Sequence, residues 1–156
     1  MIRKLYLVHI SGTCLHYIDF EEIKTEKSEK KAVHPQLASG FFSAIISFCD
    51  TAVDSSSVNE TEKICKLAWK NLDLYFYNQN DYYLIIEADN KNMNLDDGDW
   101  KNIFTYLASQ LENMIKCGIL KEGSGLIPDF SDFETNSREY LAKVLRRSLL
   151  KRLSST

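Results

Sequence analysis

Apolar residues occupy both parities of the first strand signal: Leu5, Tyr6, Leu7, Val8 and Ile10, interrupted only by His9. A strand wetted on one side alternates, so this one reads as covered on both faces. Ser11-Gly12-Thr13 carries turn chemistry, and residues 14–20 read as a second strand closing a hairpin. Residues 21–34 are dominated by Glu and Lys and read as a charged loop. Pro35 suits the first position of a helix. Over residues 35–50, Leu37, Phe41, Ala44, Ile45 and Phe48 form one apolar stripe. Ala38, Phe42, Ile46 and Cys49 form a second beside it. A helix apolar around so much of its circumference is deeply buried or shared with a partner.

Three more strand signals cover residues 63–69, 72–77 and 82–89, with turns between them and a continuous Tyr83-Leu84-Ile85-Ile86 run in the last. Asp96, Asp97 and Asp99 are placed to cap the following helix. Its stripe is Trp100, Ile103, Phe104, Leu107, Leu111, Met114 and Ile115, and Gly118 stands where a C′ glycine belongs. A last helix over residues 131–154 starts at Ser131, with Glu134 placed to complete a capping box. Its apolar positions, from Tyr140 and Leu141 to Leu149 and Leu153, are expected to face the core. The predicted order is β-β-α-β-β-β-α-α. This is an α/β fold with a five-stranded, mainly antiparallel sheet and helices on both faces, in one domain over residues 1–156.

Composition narrows the function classes. At 156 residues, with 44% hydrophobic and 26% charged residues, the chain suits one ordinary globular domain. A net charge of −3 argues against broad non-specific binding to nucleic acid. The exception is local. Arg138, Lys143, Arg146, Arg147, Lys151 and Arg152 decorate the last helix, with Glu139 the only acid from Arg138 onward. Such a helix can lie on an anionic membrane or dock an acidic partner, and it can equally be a solvated face with cations near a helix C-terminus. No signal h-region or apolar run long enough to span a bilayer is present, so the reading is a cytoplasmic protein with possible peripheral membrane contact.

The search for catalytic chemistry returns little. His9, His16 and Cys14 lie on the hairpin and resemble a partial zinc set without a fourth ligand. Asn92, Asn94, Asp96, Asp97 and Asp99 miss the calcium-loop register, because Gly98 is misplaced and no Glu closes the loop. Cys14, Cys49, Cys65 and Cys117 form no C-x-x-C pair and read as reduced thiols. Nucleophile-elbow, P-loop and dinucleotide motifs are missing. The expectation is a chain with no catalytic residue, no metal and no cofactor.

The opening Met1-Ile2-Arg3-Lys4-Leu5-Tyr6-Leu7-Val8, the Ser11-Gly12 turn, and Leu37-Ala38-Ser39-Gly40-Phe41-Phe42-Ser43-Ala44-Ile45 together resemble longin-like domains. The resemblance covers about residues 1–117. It implies a five-stranded sheet with the first helix on one face and the later helices on the other. It also implies a binding platform in membrane traffic or small-GTPase regulation, without catalytic residues, in many cases dimeric. The partner expected is a small GTPase or another longin- or roadblock-type subunit, or a second copy. No coiled SNARE segment follows, which fits an adaptor or scaffold subunit. Two other readings stand beside it: a small-molecule-binding sensory domain of similar topology, and a small enzyme without a recognised motif. The interface is expected on the first helix at Phe42, Ile46 and Cys49, where a charge at Phe42 should weaken binding and spare the fold.

Overall fold

The computed structural model describes residues 1–21, 34–52, 64–89, 91, 95–120 and 128–154. The elements are β1 (Ile2–His9), β2 (Cys14–Asp19), α1 (Pro35–Ala52), β3 (Ile64–Trp69), β4 (Leu72–Gln79), β5 (Tyr82–Asp89), α2 (Asp97–Lys116) and α3 (Ser131–Ser154). The order matches the α/β expectation, and all five strands form one antiparallel sheet in the order β2-β1-β5-β4-β3. The charged segment expected over residues 21–34 lies outside the described residues except at its ends. Glu21 accepts bonds from the Arg3 guanidinium at 2.8 and 3.2 Å. The chain divides into two compact units, Met1–Asn92 and Met93–Thr156.

The first unit holds the sheet and α1. The two strands with continuous apolar runs, β1 and β5, sit centrally and pair with each other, Leu5 opposite Ile86 and Leu7 opposite Leu84. Both faces of the sheet are buried, as the runs at both parities require. On one face, Tyr6, Val8, Cys14, Leu74, Phe76 and Ile85 pack with Phe42 of α1. On the other, Leu5, Leu7, Ile18, Leu84 and Ile86 are buried. The β4–β5 connection shows how local chemistry shapes the hairpins. Residues 78–81 read as a turn, but β4 continues through Gln79 and only Asn80-Asp81 turns, with Asn80 at φ 56°. Asn tolerates that left-handed geometry better than most residues.

The second unit holds α2 and α3 as an antiparallel pair. Tyr106 and Tyr140 stack with centroids 3.9 Å apart, and the Asn136 amide donates to Gln110 Oε1 at 3.0 Å. The expected α2 stripe from Trp100 to Met114 is buried. Its start is a reciprocal capping box. The Asp99 N–H donates to Asp96 Oδ1 at 2.8 Å, and the Asp96 N–H donates to Asp99 Oδ2 at 3.4 Å. At its end, Gly118 takes φ 72° and donates to Ile115 O, while Ile119 donates to Met114 O. These two bonds form a Schellman motif, whose C′ position favours glycine. Asp96→Ala should lower the stability of this unit by about 1 kcal/mol. Denaturant unfolding followed by helical circular dichroism measures it, and an unchanged midpoint would show that the cap contributes nothing.

The α3 start differs from expectation. Ser131 is already helical, and its N–H and Oγ both donate to Asp129 Oδ1. Its hydroxyl is therefore occupied as a donor. Glu134 pairs with Arg138 at 2.7 Å in place of the expected capping box. The acceptor at this helix start is the carboxylate two residues upstream, whose pKa those two bonds lower.

Candidate interaction surface

Helix α1 is fastened to the β1–β2 hairpin at its N-terminal end. The Cys14 N–H donates to Gln36 Oε1 at 3.2 Å, and Gln36 Nε2 donates back to Cys14 O at 3.0 Å. Ser39 Oγ lies 2.8 Å from Gly12 O. Gly12 itself takes φ 88°, and a Cβ there would stand 3.1 Å from Ser43 Oγ. Two side chains of the helix thus satisfy backbone groups of the turn, and the turn has no room for a larger residue. These bonds fix which face of α1 meets the sheet.

The facing residues are Phe42 and Ser39, both buried, with Ala38, Ile45 and Ile46 packed partly against the core. Phe42 is only 4% exposed, and its ring meets Tyr6 at 5.1 Å and Phe76 at 6.0 Å in edge-on geometry. The expectation that Phe42 faces a partner is therefore corrected: it is a core residue. Ile46 is half-buried against the same cluster. The Cys49 side chain lies outside the described residues.

The opposite face is the informative one. Leu37 is 72% exposed and Phe41 49%, with Gly40 and Ala44 exposed on the same side. Residues 35–49 contain no charged side chain. A helix with one face in the core normally carries charges on the other. Gly40 has open space where a Cβ would project, so another backbone can approach closely there. Phe41 also touches the core, its ring 6.0 Å from Phe42. This backing reduces the freedom it would lose on binding.

The hairpin histidines do not assemble with Cys14. A register shift between Leu7 and Val8 sets His16 opposite Leu7 and Cys14 opposite Val8. The bulge places Cys14 on the α1 face and His16 on the other. Cys14 is buried, which raises its thiol pKa and holds it protonated. His9 accepts from the Ser11 N–H at 3.1 Å and packs edge-on to Tyr82 at 5.5 Å. Among the described residues no group of three His, Cys, Asp or Glu is arranged to hold a metal ion.

One polar cluster escaped the sequence reading. On β3 and β4, Lys66 Nζ lies 2.8 Å from the buried carboxylate of Asp73 and 5.4 Å from the centroid of Tyr75. The Tyr75 hydroxyl donates to the same carboxylate at 3.5 Å. The hydrogen bond to Asp73 raises the Lys66 pKa, and burial raises that of Tyr75. Lys66 stays charged and pairs with the carboxylate, and the protonated Tyr75 hydroxyl stays a donor to it. The cluster reads as structural, since a buried carboxylate needs such partners. Alternation of polar and apolar residues along Asp73-Leu74-Tyr75-Phe76 was the available signal.

The basic positions expected on the last helix are exposed at Lys143, Arg146, Arg147 and Lys151, while the Arg152 side chain lies outside the described residues. Among the described residues no helix is long and apolar enough to cross a membrane. No protein-family model matches the chain, and no curated protein matches it in sequence.

Proposed function

We propose that this chain is a non-enzymatic protein-interaction module of the longin type, an adaptor or scaffold subunit in small-GTPase regulation or membrane traffic. Its partner docks on the outward face of α1. The observation that carries this reading is the uncharged, apolar exposure of Leu37 and Phe41 on a helix pinned by its other face. Burying a large exposed apolar side chain contributes about 1.5–3 kcal/mol. Two such residues around the small Gly40 and Ala44 suit a helix or an apolar groove on a partner. The element order agrees with what the longin resemblance implies. Fold likeness alone is a weak warrant, so the weight rests on the surface.

The test uses the chain as bait in native extract, with a GTP analogue or GDP, beside the variant Leu37→Glu/Phe41→Glu. The wild type should retain a small GTPase or a longin- or roadblock-type subunit. The variant should lose that capture by about tenfold or more while keeping its melting temperature. Light scattering after size exclusion covers the case in which the partner is a second copy. A dimer that the variant dissociates supports the same surface. Equal capture by both baits, or a wild type that is monomeric and captures nothing, overturns the proposal.

A further inference from the structure

The outer end of α3 carries a second exposed apolar surface of different chemistry. The buried positions of this helix are Phe133, Ser137, Leu141 and Val144, three or four residues apart. Beyond Val144 no large apolar residue is buried: Leu149 is 56% exposed, Leu150 65% and Leu153 72%. The fully buried stripe therefore stops at Val144; Leu145 is half-buried, and Leu149, Leu150 and Leu153 turn outward. Lys143, Arg147 and Lys151 follow one another at helical spacing beside them, with Arg146 between. The chain carries −3 overall, yet residues 140–156 hold five cations and no acid. Lys151 stands 3.9 Å from Asp99, and among the described residues Lys143, Arg146 and Arg147 make no ion pair.

We infer that the C-terminal turns of α3 bind the surface of an anionic membrane, with Leu149, Leu150 and Leu153 entering the headgroup–acyl boundary and the flanking cations meeting lipid phosphates and carboxylates. Charge complementarity selects this occupant, because an acid-free cationic segment coincides with the exposed leucines. Side-chain chemistry separates it from an acidic protein. Protein hot spots favour Trp, Tyr and Arg, with Leu and Lys under-represented. Residues 141–156 contain no aromatic residue, and beside three Arg and two Lys their exposed large apolar residues are all Leu. Lys and Arg can keep their charges at the headgroups while their stems lie along the apolar layer.

The experiment is co-sedimentation of the full chain with vesicles of phosphatidylcholine alone, or of three parts phosphatidylcholine to one part phosphatidylserine. Binding should require phosphatidylserine and weaken as salt rises. Arg146→Gln/Arg147→Gln should lower the partition coefficient by roughly thirtyfold, from about one kcal/mol per cation near the surface. Leu149→Ser/Leu153→Ser should lower it by about tenfold or more. All four positions are exposed, so the melting temperature should hold in both variants. Leu37→Glu/Phe41→Glu should sediment like the wild type, which keeps failure of this inference apart from failure of the α1 reading. Absence of sedimentation with either vesicle overturns the inference, as does equal binding without phosphatidylserine. So does full binding by the leucine variant. Capture on immobilised polyglutamate without vesicle binding would assign the surface to an acidic protein instead.

Discussion

Phe42→Ala should destabilise the sheet unit by about 3–5 kcal/mol and lower its melting temperature by roughly 10 °C or more. Phe42→Glu should leave no cooperative transition. Phe42 is 4% exposed, and its ring closes against Tyr6 and Phe76 at the centre of the α1 face. Removing it leaves a cavity between elements held by Gln36 and Ser39, which restrain the collapse that would fill it. A carboxylate at that place would be buried in a cluster whose members carry no charge. The neighbour behaves oppositely. Phe41→Glu replaces a ring already half in solvent and should change stability by less than about 1 kcal/mol. Thermal melts of the three variants check the contrast. A Phe41→Glu protein as unstable as Phe42→Ala would mean that the outward face of α1 is covered within the chain. The interaction surface would then be lost with it.

The same pair of residues shows how far the sequence could be read. Two adjacent phenylalanines sat on two adjacent stripes, and periodicity gave both stripes equal claim to the core. Phe42 and Phe41 were separated by facts the pattern does not hold: the turn bonds from Gln36 and Ser39, and the tight fit at Gly12. The absence of charge over residues 35–49 stands in the sequence, yet the apolar circumference alone put the interface on the Phe42, Ile46 and Cys49 stripe, whose Phe42 faces the core. The central place of β1 and β5 was legible in their double-sided runs, which suit strands covered on both faces, while the full strand order was not. The β2 bulge was not legible. One extra residue there puts Cys14 and His16 on opposite faces and dissolves the candidate zinc set. At α3 the heptad-like spacing of leucines suggested burial to the end. The buried face stops at Val144, so Leu149, Leu150 and Leu153 are exposed. Helical spacing says which residues share a face and nothing about how far the covering layer reaches.

Alkaline conditions should unfold the sheet unit through its buried tyrosines. Burial raises the Tyr6 hydroxyl well above its ordinary value of 10.0, with Glu87 and other nearby negative charges adding to the effect. Burial likewise raises Tyr75, and the neighbouring Lys66 opposes this only in part. In the unfolded chain both phenols release their protons near the ordinary value, while the folded chain keeps them. The unfolded state therefore binds fewer protons there, and the sign of the linkage makes stability fall as pH rises. The contribution is fully present below about pH 10 and is lost progressively as pH climbs toward the folded values. Each tyrosine still protonated only in the folded state costs up to about 1.4 kcal/mol per pH unit, so the two together reach about 2.7. Lys66 acts in the same direction, since its bond to Asp73 raises its pKa, but its half-exposed side chain limits the effect. Urea midpoints from about pH 8 to about pH 11, with tyrosinate absorbance as the direct readout, should show the decline. Tyr6→Phe keeps the ring packing and removes the titrating group, so its curve should be shallower by up to one tyrosine's share. A decline equally steep in Tyr6→Phe would place the alkaline sensitivity elsewhere, and tyrosinate absorbance that precedes unfolding in the wild type but is missing from Tyr6→Phe would show that Tyr6 ionises in the folded sheet.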